Sequence, residues 1–166
     1  SAGPDRSMCD FDTVQLHGDT LDGELSSTLT MFVACSAGVG TGFWMPDTFK
    51  GTGSGVGHAT ESGHMTCSYI PEVVRQSVAQ QLQKPDYAIT YEDILAGDGI
   101  ERIYKSLGGV KNLSAEQIMI ESKNGDVIAV STVDVWANAF GMYLRDTTLS
   151  INAERIIFMG SVLEKN

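Results

Sequence analysis

The chain has 166 residues, 42% of them hydrophobic, with 21 acidic against 11 basic side chains and a formal charge of −10. That length is one domain's worth, able to bury roughly 70% of its unfolded surface. The acidic balance excludes a reader of the phosphate backbone, which needs a basic face, and so no nucleic-acid partner is expected. Aromatics at 8% and charges at 19% exclude a disordered tail.

The longest uncharged run, Leu25 to Pro46, is broken by Ser, Thr and Gly. It falls short of the roughly 18 continuous apolar residues of a membrane helix, and no membrane partner is expected. Cys9, Cys35 and Cys67 are scattered without a C-x-x-C pair, which argues against a zinc cluster or a disulfide framework and for a reducing, cytoplasmic compartment.

In chain order, residues 1–27 are polar and rich in Gly and Asp, with a loop at Asp19–Glu24. Leu29–Cys35 is short, apolar and bounded by glycine, as a buried strand should be. Ser36 to Gly42 reads as a glycine-rich turn, with Phe43-Trp44-Met45 as a second strand. Pro46 to Gly57, with four glycines from Gly51 onwards, reads as a surface loop or hinge.

Pro71 opens a helix whose Val74, Val78 and Leu82 recur at i+4 until Pro85. Thr90-Tyr91-Glu92-Asp93 and Ser114-Ala115-Glu116-Gln117 have the pattern of capping boxes. Between them, Ile100, Ile103, Tyr104 and Leu107 form an amphipathic face ended by Gly108-Gly109. Asp126–Leu149 is strand-like by propensity, but Val133, Ala137, Phe140, Gly141 and Leu144 share one helical face, and a single long helix is expected. Arg155–Gly160 is a final strand entering a turn. Strands, then helices, then a strand predict an α/β architecture.

Several residues can carry chemistry. Gly38-Val39-Gly40-Thr41-Gly42 is either a tight turn or a cradle of backbone amides for an anion. It is neither a Walker A loop nor a dinucleotide fingerprint. Glu61-Ser62-Gly63-His64 puts a carboxylate and an imidazole within reach of one polar ligand, or of each other only. His58 is near, but the spacing does not match H-E-x-x-H, and no metal site is expected. Glu92 at a helix start is accounted for by the helix dipole alone. Asp10 has no distinction from Asp12 or Asp19, and His17 has no assignable role.

Taken together and in order, these segments resemble the large domain of the bacterial-type glucokinases. Cys9-Asp10-Phe11 resembles that family's Asn-Asp-Phe segment. Gly38–Gly42 resembles its second phosphate loop, and Glu61-Ser62-Gly63-His64-Met65 its Glu-Gly-Gly-His-hydrophobic motif. Glu92–Tyr104 is similar to its Glu-x-hydrophobic-Leu-Ser-Gly-x-Gly segment, and Ile156–Val162 to the strand and Gly-Gly turn at the adenosine side.

The resemblance implies the large C-terminal domain of a glucokinase-like fold (actin-like ATPase, ribonuclease H-like), a mixed sheet with packed helices. Residues 28–166 would form that domain, and residues 1–27 an N-terminal segment carrying the catalytic Asp. It implies Asp10 as general base, Glu61, His64 and Glu92 as ligands of a hexose such as glucose, and Gly38, Gly40, Thr41 and Gly42 at the phosphates of ATP. Gly160 and Ser161 would lie near the adenosine, with Mg²⁺ carried by the nucleotide. Trp44 and Trp136 are expected in the core.

Cys9 stands where the family has Asn, and Val39 where its phosphate loop has a hydroxyl. The family's N-terminal strand and first phosphate loop have no counterpart here. The chain is therefore expected to be a large-domain fragment with little kinase activity of its own, and to self-associate through the surface where a small lobe would pack. A non-catalytic sugar sensor with the same fold is the rival expectation.

Overall fold

The computed structural model describes residues 28–47, 55–160 and 162. Asp10, with Cys9, and Ser161 lie outside the described residues.

Among the described residues, four strands form one sheet in the order β3-β2-β1-β4. Strand β1 (Thr30–Cys35) runs antiparallel to β2 (Val39–Pro46) and parallel to β4 (Arg155–Met159). Strand β3 (Gly55–Thr60) pairs antiparallel with β2 at the edge. The sheet is thus mixed, as expected. Two sequence expectations need correction. Gly40, Thr41 and Gly42 are not loop residues: the ladder closes at Cys35↔Val39, and only Ser36-Ala37-Gly38 form the connection. The end of the expected loop, Gly55 to Gly57, belongs to β3, paired from Gly55.

Alternation along the strands separates the two faces of the sheet. Met31, Val33, Cys35, Val39 and Thr41 turn inward and are buried, with Ile156 and Phe158 packed beside them. Phe32, Ala34, Trp44 and Met159 line the opposite face around a shallow hollow of about 370 Å³, floored by Gly40 and Gly42. Trp44 is therefore partly buried there rather than central, whereas Trp136 is in the core.

The helices cover the inner face. Helix α1 (Glu72–Leu82) starts after Pro71 and stops at Gln83, which takes a left-handed φ of 54°. Helices α2 (Tyr91–Leu95) and α3 (Gly97–Ser106) meet at Ala96. Helix α4 (Ala115–Lys123) opens on the Ser114–Gln117 capping box, and α2 on the Thr90–Asp93 box; both are reciprocal.

Helix α5 runs the full length from Val127 to Ile151, capped by Asp126, whose carboxylate accepts from the Ala129 amide at 2.9 Å. It is long and apolar enough to cross a bilayer by length and composition. Its Ala129, Thr132, Trp136, Ala139, Tyr143 and Thr147 stripe is buried, and it packs against α2, α3 and α4. The Trp136 indole donates to the Leu95 carbonyl at 3.1 Å, pinning α5 to α2.

Candidate functional site

The chemistry gathers where the parallel strands β1 and β4 end. In open α/β sheets that edge is where ligands sit, because loops diverge there and leave a crevice. The Ser36–Gly38 connection forms its rim, with Ser36 and Ala37 exposed. The Gly97 amide at the start of α3 donates to the Ser36 carbonyl at 3.0 Å, docking the hairpin tip onto that helix. Gly160, just past β4, has φ +104°, and a Cβ there would lie 2.4 Å from the Cys35 carbonyl oxygen. Only glycine lets the two strand ends approach so closely.

Glu92, in the first turn of α2, reaches the same rim. Its Oε2 accepts from the Val39 amide at 3.0 Å. A Cβ on Gly38 would come within 2.9 Å of that oxygen, so the glycine makes room for the carboxylate. The other oxygen, Oε1, lies 3.5 Å from His64 Nε2, and His64 Nδ1 lies 3.4 Å from Glu61 Oε2. One imidazole thus bridges two carboxylates. All three groups are open to solvent, with side-chain exposures of 88% for Glu61, 60% for His64 and 40% for Glu92.

Three local devices create this convergence. Residues 62–64 form a single 3-10 turn, with the His64 amide donating to the Glu61 carbonyl at 2.9 Å. Gly63 packs this turn directly on β2, where a Cβ would lie 2.5 Å from the Val39 carbonyl oxygen. A short antiparallel clip then carries the chain past α2. Cys67 N donates to Ile89 O at 2.8 Å, Tyr91 N donates to Met65 O at 3.0 Å, and Thr66 faces Thr90. The clip fixes His64 beside Glu92 although they are far apart in sequence.

Of the residues singled out in the sequence, the structure brings together Glu61, His64, Glu92 and Gly38, with Gly160 at the same strand edge. It places Gly40 and Gly42 down β2, on the outer hollow, away from this cluster. Thr41 is corrected most clearly. Its side chain is on the buried inner face, and its hydroxyl is bonded to the Tyr143 phenol, so it does not face the rim. The cause is the two-residue period of the strand, which turns residue 41 inward once the turn ends at Gly38. His58 sits on β3 with its ring stacked on Phe43 at 5.1 Å between centroids.

Two supporting roles were not legible from motifs. Ser62 and Tyr143 support the turn from below, their hydroxyls 2.8 Å apart. The available signal was chemical: a buried tyrosine on an apolar stripe must find a partner for its hydroxyl. Burial holds the Tyr143 phenol above its ordinary range, so it stays protonated and able to donate. Burial also pushes the Cys35 thiol up to about 12 and the Cys67 thiol up to about 11, which leaves both unreactive at neutral pH.

The family model for the ROK family matches residues 10–166. The bifunctional protein glk of Paraburkholderia xenovorans is 25% identical over 130 residues, covering 74% of this chain and 20% of that protein. The chain therefore spans about a fifth of the length of this curated relative. A glucokinase from Balamuthia mandrillaris solved with glucose superposes with a TM-score of 0.69 at 17% identity, over 81% of this chain and 40% of the other. A ROK family transcriptional regulator, a homolog of the E. coli MLC protein, superposes with a TM-score of 0.57 at 19% identity, over 83% and 34%. The chain belongs to the ROK family, and its described residues have the glucokinase-like fold expected from its motifs.

Proposed function

We propose that this chain supplies the sugar-binding lobe of an ATP-dependent hexose kinase, with glucose the first candidate. The observation that carries the reading is the His64 bridge between Glu61 and Glu92 at the carboxyl edge of β1. Carboxylates and an imidazole suit a sugar because each hydroxyl both donates and accepts. Where a bound sugar takes such partners out of water, a sugar lacking one hydroxyl leaves a partner unpaired and is discriminated against.

In this reading Asp10 takes the proton of the sugar 6-hydroxyl as its oxygen attacks the γ-phosphorus of ATP and ADP leaves. The Ser36–Gly38 connection and Gly160 meet the phosphates, with Ser161 towards the adenosine. This revises the expected phosphate contacts: Gly38 stays, and Gly40, Thr41 and Gly42 give way to Ser36 and Ala37. The support is that these residues crown adjacent parallel strands beside Glu92, with backbone close enough that Gly160 tolerates no side chain. Mg²⁺ accompanies the nucleotide and neutralises its charge. The compartment is the cytoplasm, where ATP is supplied and buried thiols such as Cys35 and Cys67 stay reduced.

A sugar sensor is the second reading. It is favoured by Cys9, which stands beside Asp10 in place of an amide, and by the regulator among the fold relatives. Calorimetry of the 166-residue chain with glucose, with and without Mg-ATP, tests both. Binding that is weakened at least tenfold by Glu92→Gln and by His64→Ala supports the sugar site. No heat with millimolar glucose overturns it. Glucose binding without nucleotide binding, and without turnover in a coupled assay of the longest natural form, selects the sensor.

A further inference from the structure

We propose that Tyr143, through an inward chain of hydroxyls, is the positioning residue that sets the Glu61–His64 turn for its ligand; this rests on the sugar-site reading above.

The chain of contacts runs across four elements. The Tyr143 phenol, fully buried on α5, meets Thr41 Oγ1 on β2 and lies 2.8 Å from Ser62 Oγ in the turn. Ser62 Oγ lies 3.0 Å from Thr60 Oγ1 on β3, and Thr60 Oγ1 donates to the Thr41 carbonyl at 3.1 Å. The Ser62 amide also points at Thr60 Oγ1, at 3.4 Å. One direction uses every hydroxyl proton once. Thr41 donates to Tyr143, Tyr143 to Ser62, Ser62 to Thr60, and Thr60 to the Thr41 carbonyl. Such a unidirectional chain polarises along its length, and each member strengthens the next.

The geometry makes Tyr143 the keystone of this chain. Ser62 stands between Glu61 and Gly63-His64, so its hydroxyl is the inward anchor of a turn whose other side chains face solvent. Among the described residues, the Glu61 and His64 side chains pair with each other and, for His64, with Glu92. Tyr143 acts from the core, on a long helix packed against α2, α3 and α4, and so transmits the rigidity of that packing to an exposed surface pair. Removing its hydroxyl leaves Thr41 and Ser62 each short of one partner, and among the described residues it takes away the hydrogen bond that ties the turn to α5.

The test compares Tyr143→Phe and Ser62→Ala with Thr132→Val in the 166-residue chain. Thr132→Val also removes a buried hydroxyl from α5, but about 16 Å up the helix at 1.5 Å per residue. The first readout is the imidazole proton–nitrogen spectrum of His64 without sugar, which does not depend on the sugar reading. Tyr143→Phe and Ser62→Ala are expected to shift it in the same direction, while Thr132→Val leaves it in place. The second is glucose affinity, expected to weaken about five- to tenfold in both, the scale of one lost buried hydrogen bond.

Unchanged His64 signals in Ser62→Ala, or in a folded Tyr143→Phe, overturn the proposal. So does an equal shift in Thr132→Val. His64 signals that shift in both variants, with a parent chain that binds no glucose, uphold the positioning and refute the sugar reading instead.

Discussion

Gly63→Ala is the sharpest probe of how the candidate site is assembled. The added methyl would lie 2.5 Å from the Val39 carbonyl oxygen and 3.3 Å from the Val39 Cβ. Ordinary contacts to carbon lie near 3.5 Å, so the turn or β2 must retreat by about an ångström. Both are backbone, and neither gives easily. Overpacking of this kind costs about 1–3 kcal/mol, which at this chain length lowers Tm by about 3–10 °C. The retreat also has a direction. Val39 is held from the other side by Glu92, so separating the turn from β2 lengthens the Glu92–His64 contact now at 3.5 Å. Thermal unfolding gives the first number, and the His64 side-chain NMR signals give the second. Gly57→Ala is the matched control, since nothing lies within 4 Å of its added methyl. If Gly63→Ala melts with the parent and leaves the His64 signals unmoved, the close packing described here is wrong.

Gly141 lies in the interior of α5, exposed and with nothing within 4 Å of a built Cβ, so Gly141→Ala should stabilise by about 0.5–1 kcal/mol and raise Tm, read by thermal unfolding. Asp93 supplies a pH test. Burial pushes its carboxyl up, but hydrogen bonds from Lys84 and Thr90 together outweigh that and hold it below the usual range. A lowered folded value means that the contribution is full above the unfolded value of about 4 and is lost as pH falls through the folded one. Asp93→Asn should therefore cost about 1–2 kcal/mol between pH 5 and 8, and the gap from the parent should close below about pH 4 in denaturant titrations; a gap independent of pH refutes the ionic account.

The elements legible in the sequence were those written in local chemistry. Ser114–Gln117 and Thr90–Asp93 are complete capping boxes within four residues, and both formed. In α5 two signals conflicted. Val127, Ile128, Val130 and Val133 favour strand, yet burial of one helical stripe on α2–α4 and the Asp126 cap overrode propensity. Strand β3 was illegible because it is an exposed edge: Val56, Gly57, His58 and Ala59 are all exposed, and no buried apolar alternation marks it. Gly40 and Gly42 misled for a related reason. Glycine signals a turn when only sequence is visible, but here it spares side chains on the outer face of a strand. The motif residues Glu61, His64 and Glu92 could be picked out. The clip through Cys67 and Ile89, which makes them neighbours, could not, because its bonds are main-chain and carry no side-chain signature.

The two carboxylates of the cluster are not equivalent, and the difference bears on what a ligand must do on arrival. Glu92 commits Oε2 to the Val39 amide and turns only Oε1 outward, so its ligand-facing oxygen is already placed. Glu61 has no such tie among the described residues: at 88% exposure its carboxylate lies against His64, at 3.4 Å. Ordering a free polar side chain costs about 0.5–1.5 kcal/mol on binding, and that cost falls on Glu61 and His64 rather than on Glu92. Preorganisation of the Glu61–His64 turn is therefore the remaining lever on affinity. It is held from beneath by the Ser62 hydroxyl and from behind by the contact of Gly63 with β2. A change at either support should be felt as weaker binding before it is felt as lost fold, because both act on a single exposed turn while the core beneath α2, α3 and α5 stays packed.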